Sequence, residues 1–309
     1  LGLRHSDDGG HTWTSRTRVL LPNEGKQTTG SVSFLRLHSG RIALFYLVKN
    51  GFHDCRPHMR ISDDEGKTWS DPTPAVTAPG YFVVNNDRVI QTHTGRLIVP
   101  TAYHRMKTFD TQSAQSFDNR GITMFWLSDD EGQTWRESKT WWTNPAAVNS
   151  GLQEPGVVEL NNGRLFAYCR TLLGCQYALT SKDGGETLSR PRRTQFIGPC
   201  SPLSIKRIPS TGDLLAVWND QSGSFPVDPW DIETLQRTPL VAAISRDEGK
   251  TWPIRKLLEA DRTQACCYTA IHFIEDAALL AYSYYDQTII CNTVIPLRMR
   301  RIDLDWLYA

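Results

Sequence analysis

No apolar run in this 309-residue chain approaches the roughly 20 residues that a membrane-spanning helix needs. The seven cysteines (Cys55, Cys169, Cys175, Cys200, Cys266, Cys267 and Cys291) form no Cys-x-x-Cys pair and leave one over, so no disulfide framework is indicated. There is no metal-ligand spacing, no Gly-rich phosphate loop and no Gly-x-Ser-x-Gly elbow. Neither a metal nor another cofactor is therefore expected. The formal net charge is only +1, which argues against a general nucleic-acid binder. Two short basic runs, Arg190-Pro191-Arg192-Arg193 and Arg298-Met299-Arg300-Arg301, read as solvated strand edges. No stretch keeps a long 3.6-residue apolar period, which excludes a helical solenoid. Nothing in the residues fixes an oligomeric state.

What the chain does hold is repetition. Five copies of Ser-x-Asp-x-Gly-x-Thr-Trp run through it: Ser6–Trp13, Ser62–Trp69, Ser128–Trp135, a weaker Ser181–Leu188, and Ser245–Trp252. Their ends lie between 53 and 66 residues apart. Self-similarity at that period predicts an array of like supersecondary units. Ser and Asp side chains cap amides inside a tight turn, Gly supplies a positive φ, and the Trp packs beneath. The acidic turns resemble calcium loops only superficially, because the glutamate at the twelfth position is missing.

A second punctuation mark precedes most copies: Ser39-Gly40, Thr94-Gly95, Asn162-Gly163 and Thr211-Gly212, each between two apolar runs. A hairpin followed by a third strand, the Asp-rich turn and a fourth strand makes a meander A-B-C-D, one propeller blade. Full units are expected from near Thr29, Tyr81, Gly151, Cys200 and Tyr268, with the last C strand over Val294 to Trp306. The prediction is an all-β, six-bladed β-propeller forming one domain over residues 1–309. The chain opens on Leu1 rather than Met, inside a C strand, and so reads as a fragment whose first blade is truncated at the N-terminus.

In such a meander the A–B and C–D turns share one rim, and the opposite rim carries the B–C loops and the starts of A and C. The Asp-rich turns are then structural staples. Long B–C excursions are predicted over Tyr103–Arg120 and Asn219–Arg237, where specificity would reside. Glu154 stands at the start of an A strand, Arg170 ends a B strand, Arg237 precedes a C strand and Tyr268 begins an A strand. Asn85-Asn86-Asp87-Arg88 interrupts an otherwise apolar A strand, which is costly without partners. Asp87, Arg88, Arg56 and His104 are the further candidates for substrate binding.

These turns, together with Glu154-x-x-Val157-Val158-Glu159-Leu160-x-x-Gly163-Arg164-Leu165 and an Arg sixteen residues after the Glu, resemble the sialidases and their BNR-repeat relatives. The resemblance covers essentially the whole chain. It implies that Glu154 partners a nucleophilic Tyr268, and that Arg170 and Arg237 grip a substrate carboxylate. The chemistry has its own logic. A sugar with a carboxylate on its anomeric carbon repels a carboxylate nucleophile, whereas a phenol is neutral until a base takes its proton. A planar guanidinium pairs bidentately with a carboxylate.

The resemblance also places a first clamp Arg and an acid Asp in strands before Leu1. Arg16 and Arg18 follow the first turn and cannot replace that Arg, so this stretch alone is expected to bind an acidic sugar weakly and hydrolyse it poorly. The implied activity is an exo-acting glycoside hydrolase with a Tyr nucleophile, acting on a carbohydrate that bears a carboxylate. The alternatives are a non-catalytic carbohydrate-binding propeller, or a hydrolase or lyase of uronic-acid polysaccharide.

Overall fold

The computed structural model describes residues 1–225, 237–287 and 295–309. Cys291, Val294 and the 226–236 part of the second long insertion lie outside the described residues. β1 (Gly2–Leu3) pairs with β2 (Arg18–Val19) across the first Asp-rich turn. β3 (Thr28–Arg36), β4 (Ile42–Gly51), β5 (Asp54–Ser62) and β6 (Thr73–Pro74) make an antiparallel meander. In the next, β7 (Tyr81–Val83) and β8 (Ile90–Gln91) share the A position, followed by β9 (Leu97–His104), β10 (Ile122–Ser128) and β11 (Arg136–Glu137).

β12 (Gln153–Glu159), β13 (Leu165–Arg170), β14 (Cys175–Ser181) and β15 (Arg192–Ile197) form a four-stranded sheet in chain order. A second such sheet holds β16 (Ser204–Arg207), β17 (Leu214–Asn219), β18 (Leu240–Ser245) and β19 (Ile254–Glu259). The last has three strands: β20 (Gln264–Ile274), β21 (Ala277–Asp286) and β22 (Leu297–Asp303). Helix is confined, among the described residues, to a 3-10 turn (Ala114–Ser116) and α1 (Leu304–Tyr308).

Two expectations are corrected. The first two meanders are not separate sheets, because Cys55 of β5 and Tyr81 of β7 form a parallel bridge that joins them into nine strands. Gly80, at φ 142°, makes the join possible by offering its carbonyl to Cys55 N at 3.0 Å. The final C strand stops at Asp303 rather than Trp306. Leu304 and Leu307, three apart, are buried together when the chain coils into α1, while Trp306 stays exposed.

The chain divides into two compact units, one of Leu1–Leu3, Thr17–Cys169 and Ala178–Arg192, the other of Arg4–Arg16, Arg170–Tyr177 and Arg193–Ala309. The first is built on Phe45, Met59, Phe82, Val99 and Trp126, the second on Val217, Ile244, Cys266, Leu280 and Tyr282. Middle strands are buried on both faces, β17 and β18 along their whole length, so they read as unbroken apolar runs.

All five Asp-rich turns close the same way. In the second copy, Ser62 Oγ accepts from Gly66 N at 2.8 Å, and Asp64 accepts from Thr68 N at 2.8 Å and from Thr68 Oγ1 at 2.6 Å. Asp8, Asp130, Asp183 and Asp247 repeat this with Thr12, Thr134, Thr187 and Thr251. The Trp lies against the turn glycine, and Trp135 Nε1 donates to Gly132 O at 3.1 Å. In the fourth copy Leu188 stands in its place, and the space at Gly185 is filled by Phe125, Leu127 and Leu165.

The Thr hydroxyl, then the Thr amide, bring the carboxyls of Asp64, Asp130 and Asp247 down from 3.8 to about 2. A depressed pKa contributes stability that is present above the unfolded value and lost as pH falls through the folded one. These turns are therefore expected to hold at pH 5 and to open between about pH 4 and pH 2. Near-UV circular dichroism of the turn tryptophans checks this; collapse of the signal above pH 5 would contradict it.

Candidate active site

Tyr268 does not begin its strand, as the sequence predicts, but sits inside β20. The register of β20 on β21 slips between Cys267 and Ala270, and Tyr268 takes φ 59° within that bulge. A bulge breaks the alternation of side chains and re-aims one of them. The half-buried phenol meets two guanidiniums. Arg170 Nη1 donates to Tyr268 Oη at 3.2 Å, and the guanidinium carbon of Arg237 lies 5.2 Å from the ring centroid.

Arg170 closes β13, where the apolar run Leu165–Cys169 ends. Arg237 is fixed by its own backbone, because its carbonyl accepts from Cys266 N at 2.8 Å. Its Nη1 also donates to Cys267 Sγ at 3.0 Å. Burial works against the Arg237 charge, yet the Cys267 thiol and the Tyr268 phenol beside it keep its pKa above the ordinary arginine value.

Asn219 ends β17 and is buried. Its amide donates to Pro239 O at 3.3 Å and to Cys266 O at 2.9 Å, tying the chain after Arg237 to the chain before Tyr268. Sequence reasoning took Asn219 for a loop residue and missed Cys267. The one available signal was an amide closing the apolar run Leu214–Trp218. Asn219→Leu is expected to cost about 1–3 kcal/mol, since it strips partners from buried carbonyls. Urea unfolding measures this, and wild-type stability would show that the clamp is dispensable.

The other candidates lie in the first unit. Glu154 is half-buried near the start of β12 with φ 45°; burial first, then Cys55, and last the Glu154 charge raise the pKa of the Tyr81 phenol. Tyr81 belongs to an aromatic cluster with Phe52, Phe117 and His104. His104 is itself buried, stacked on Phe117, with Nδ1 3.0 Å from Asp118 O. Arg56 pairs with Asp54 at 2.7 Å.

The polar run Asn85–Arg88 forms a turn between β7 and β8 rather than a continuous strand. Asp87 takes φ 58° and is half-buried, while Arg88 is buried and donates from Nη1 to Tyr168 Oη at 3.2 Å. The structure thus brings Arg170 and Arg237 each against Tyr268. Arg56 pairs within β5, and His104 is held by the loop that follows β9.

The six described members of the cysteine set are free thiols. No cluster of three or more His, Cys, Asp or Glu suited to a metal occurs among the described residues. No helix among them is long and apolar enough to cross a membrane.

The BNR repeat-like domain family matches residues 1–281. A sialidase of Micromonospora viridifaciens is 26% identical over 317 residues, covering 87% of this chain and 42% of that protein. An anhydrosialidase of Macrobdella decora is 33% identical over 141 residues, covering 42% of this chain and 16% of that protein. The structure of a Hadza microbial sialidase superposes with a TM-score of 0.70 at 20% identity, over 99% of this chain and 59% of the other. That likeness speaks for the fold alone. The chain spans less than half the length of the two curated relatives. The Asp-rich turns, the blade-like sheets and the match over residues 1–281 lead to one assignment: the chain belongs to the BNR repeat-like domain family.

Proposed function

We propose that this chain carries the reaction centre of an exo-acting glycoside hydrolase that removes a terminal acidic sugar with retention of configuration. The observation that carries the reading is the phenol of Tyr268 held between Arg170 and Arg237. Two guanidiniums beside one strand tyrosine suit both a substrate carboxylate and negative charge on the phenolic oxygen.

In the proposed reaction Tyr268 Oη attacks the anomeric carbon while Glu154 takes the phenolic proton, and the bond to the leaving oxygen breaks, that oxygen taking up a proton from solvent. Water then attacks the anomeric carbon of the glycosyl–tyrosine with inversion and loses a proton to solvent, and the displaced phenolate regains its proton from Glu154. Two inversions give retention. Arg170 and Arg237 orient the sugar by its carboxylate throughout. The architecture proposed with this function is a six-bladed propeller whose first blade is represented by β1 and β2.

The test is release of the fluorophore from an aryl sialoside compared with matched aryl uronides. An aryl leaving group needs little protonation, so the nucleophile is read directly. Slow turnover of the sialoside, lost in Tyr268→Phe, is expected. Binding of either sugar with no turnover of any aryl glycoside would instead favour the carbohydrate-binding reading, and turnover of the uronides alone would move the substrate to uronic-acid polysaccharide.

A further inference from the structure

β20 is an edge strand, paired with β21 on one side and with no strand among the described residues on the other. Backbone groups on such an edge must find other partners once they are buried. β20 also carries the slip at Tyr268. Cys267 stands opposite Ser283 and Ala270 opposite Ala281, so Tyr268 and Thr269 together face Tyr282. A bulge of two residues against one has no regular ladder to hold it. The chain around it is nonetheless deeply buried, since Cys266, Cys267 and Thr269 are each at most 3% exposed.

Two buried side chains of the preceding sheet, in the same compact unit, supply donors. Ser204, the first residue of β16, donates from Oγ to Thr269 O at 2.5 Å. Asn219, the last residue of β17, donates from Nδ2 to Cys266 O at 2.9 Å. One carbonyl lies two residues before Tyr268 and the other one residue after it. The donors are themselves fixed. Ser204 sits opposite Val217 in the β16–β17 register, two residues before Asn219. Ser201 Oγ donates to Asn219 Oδ1 at 2.5 Å, which sets the end of the amide that faces β20. Ser201 O in turn accepts from the buried Gln176 Nε2 at 2.8 Å.

We infer that Ser204 and Asn219 are positioning residues for Tyr268: they grip β20 on either side of the bulge and so hold the phenol against Arg170. This assignment rests on the proposed hydrolase reading. A left-handed backbone is unfavourable for a residue with a Cβ, and Tyr268 at φ 59° keeps it only where the surroundings enforce it. The Ser204 and Asn219 bonds are that enforcement, together with the bond from Cys266 N to Arg237 O at 2.8 Å.

The consequence is a catalytic one. A misplacement of about 1 Å in an attacking atom can lower a rate about 10²-fold, even when the change is made away from the chemistry. Both side chains are buried, so they act on the reaction through Tyr268 and not by touching the sugar. Loss of either bond lets the bulge relax, and the phenolic oxygen then moves off its line to the anomeric carbon.

Ser204→Ala removes one buried hydroxyl and leaves the strand otherwise intact. On an aryl sialoside it should lower kcat about tenfold or more, with KM within about twofold of wild type. Ser204→Thr, which keeps the hydroxyl on a residue that strands favour, should recover most of kcat. Asn219→Leu should lose kcat as well as stability. Leu307→Ala, in α1, is the control for stability alone: it opens a cavity in the core of the same unit, so the melting temperature falls while kcat holds. Fluorine NMR of 3-fluorotyrosine placed at position 268 reads the ring without any turnover. Its resonance should shift and broaden in Ser204→Ala and Asn219→Leu but not in Leu307→Ala. An unmoved resonance in Ser204→Ala would overturn the inference, as would an equal loss of kcat in Leu307→Ala. A resonance that moves in Ser204→Ala, in a protein that turns over no aryl glycoside, would sink the hydrolase reading and leave the hold on Tyr268 standing.

Discussion

Tyr268→Phe and Glu154→Gln are each expected to cripple turnover, and the double variant to be little worse than the poorer single one. An unassisted phenol has a pKa near about 10 and attacks poorly at neutral pH, so nucleophile and base act as one unit. Loss of the nucleophile should lower kcat by roughly 10⁴-fold or more, and loss of the base by about 10²–10⁴-fold. KM should change little, because neither substitution removes the carboxylate clamp. Steady-state kinetics on an aryl sialoside reads all four proteins. Full additivity of the two losses would show that the residues work independently and would remove Glu154 as the base.

The second large effect concerns the clamp. Arg170→Ala should weaken binding of the acidic sugar by about 1.5–3 kcal/mol, the range for hydrogen bonds to charged groups, or roughly 10- to 150-fold. An amide analogue of the same sugar should lose far less. Arg170 also donates to Tyr268 Oη, so kcat should fall alongside affinity. Arg237→Ala should behave similarly in binding, with an added loss of stability, because the half-buried Arg237 bonds Cys267 Sγ. Equal losses for the acid and the amide would rule out a carboxylate role for either arginine.

How much of this was legible in the sequence follows from the range of the forces involved. The Asp-rich turns were legible in detail, since Ser62, Asp64, Gly66 and Thr68 satisfy one another within seven residues. The ends of β13 and β18 were equally plain, because Arg170 and Arg237 bound apolar runs. The bulge at Tyr268 was not. Cys266-Cys267-Tyr268-Thr269 reads as unbroken extended chain, and its left-handed kink goes with the slipped pairing on β21 and the bond from Cys266 N to Arg237 O, in the segment before β18.

The same holds for the supports of the site. Asn219 reaches Cys266 across 47 residues, and Arg237 reaches Cys267 across 30, distances over which local pattern carries no signal. His104 shows the converse. A histidine at a strand end beside a long loop suggested a ligand contact, and the structure buries it under Phe117. The polar run at Asn85–Arg88 advertised a departure from regular strand, but the turn that satisfies it draws on Val32 and Ser33, more than fifty residues earlier.

The central claim is that Tyr268 forms a covalent bond to the sugar. A 2,3-difluorinated acidic glycoside slows the second step more than the first, so the glycosyl–enzyme accumulates and can be digested and sequenced by mass spectrometry. The account predicts the added mass on the peptide containing Tyr268, on the phenolic oxygen itself, and its absence in Tyr268→Phe. A label on a carboxylate, Glu154 included, would contradict it.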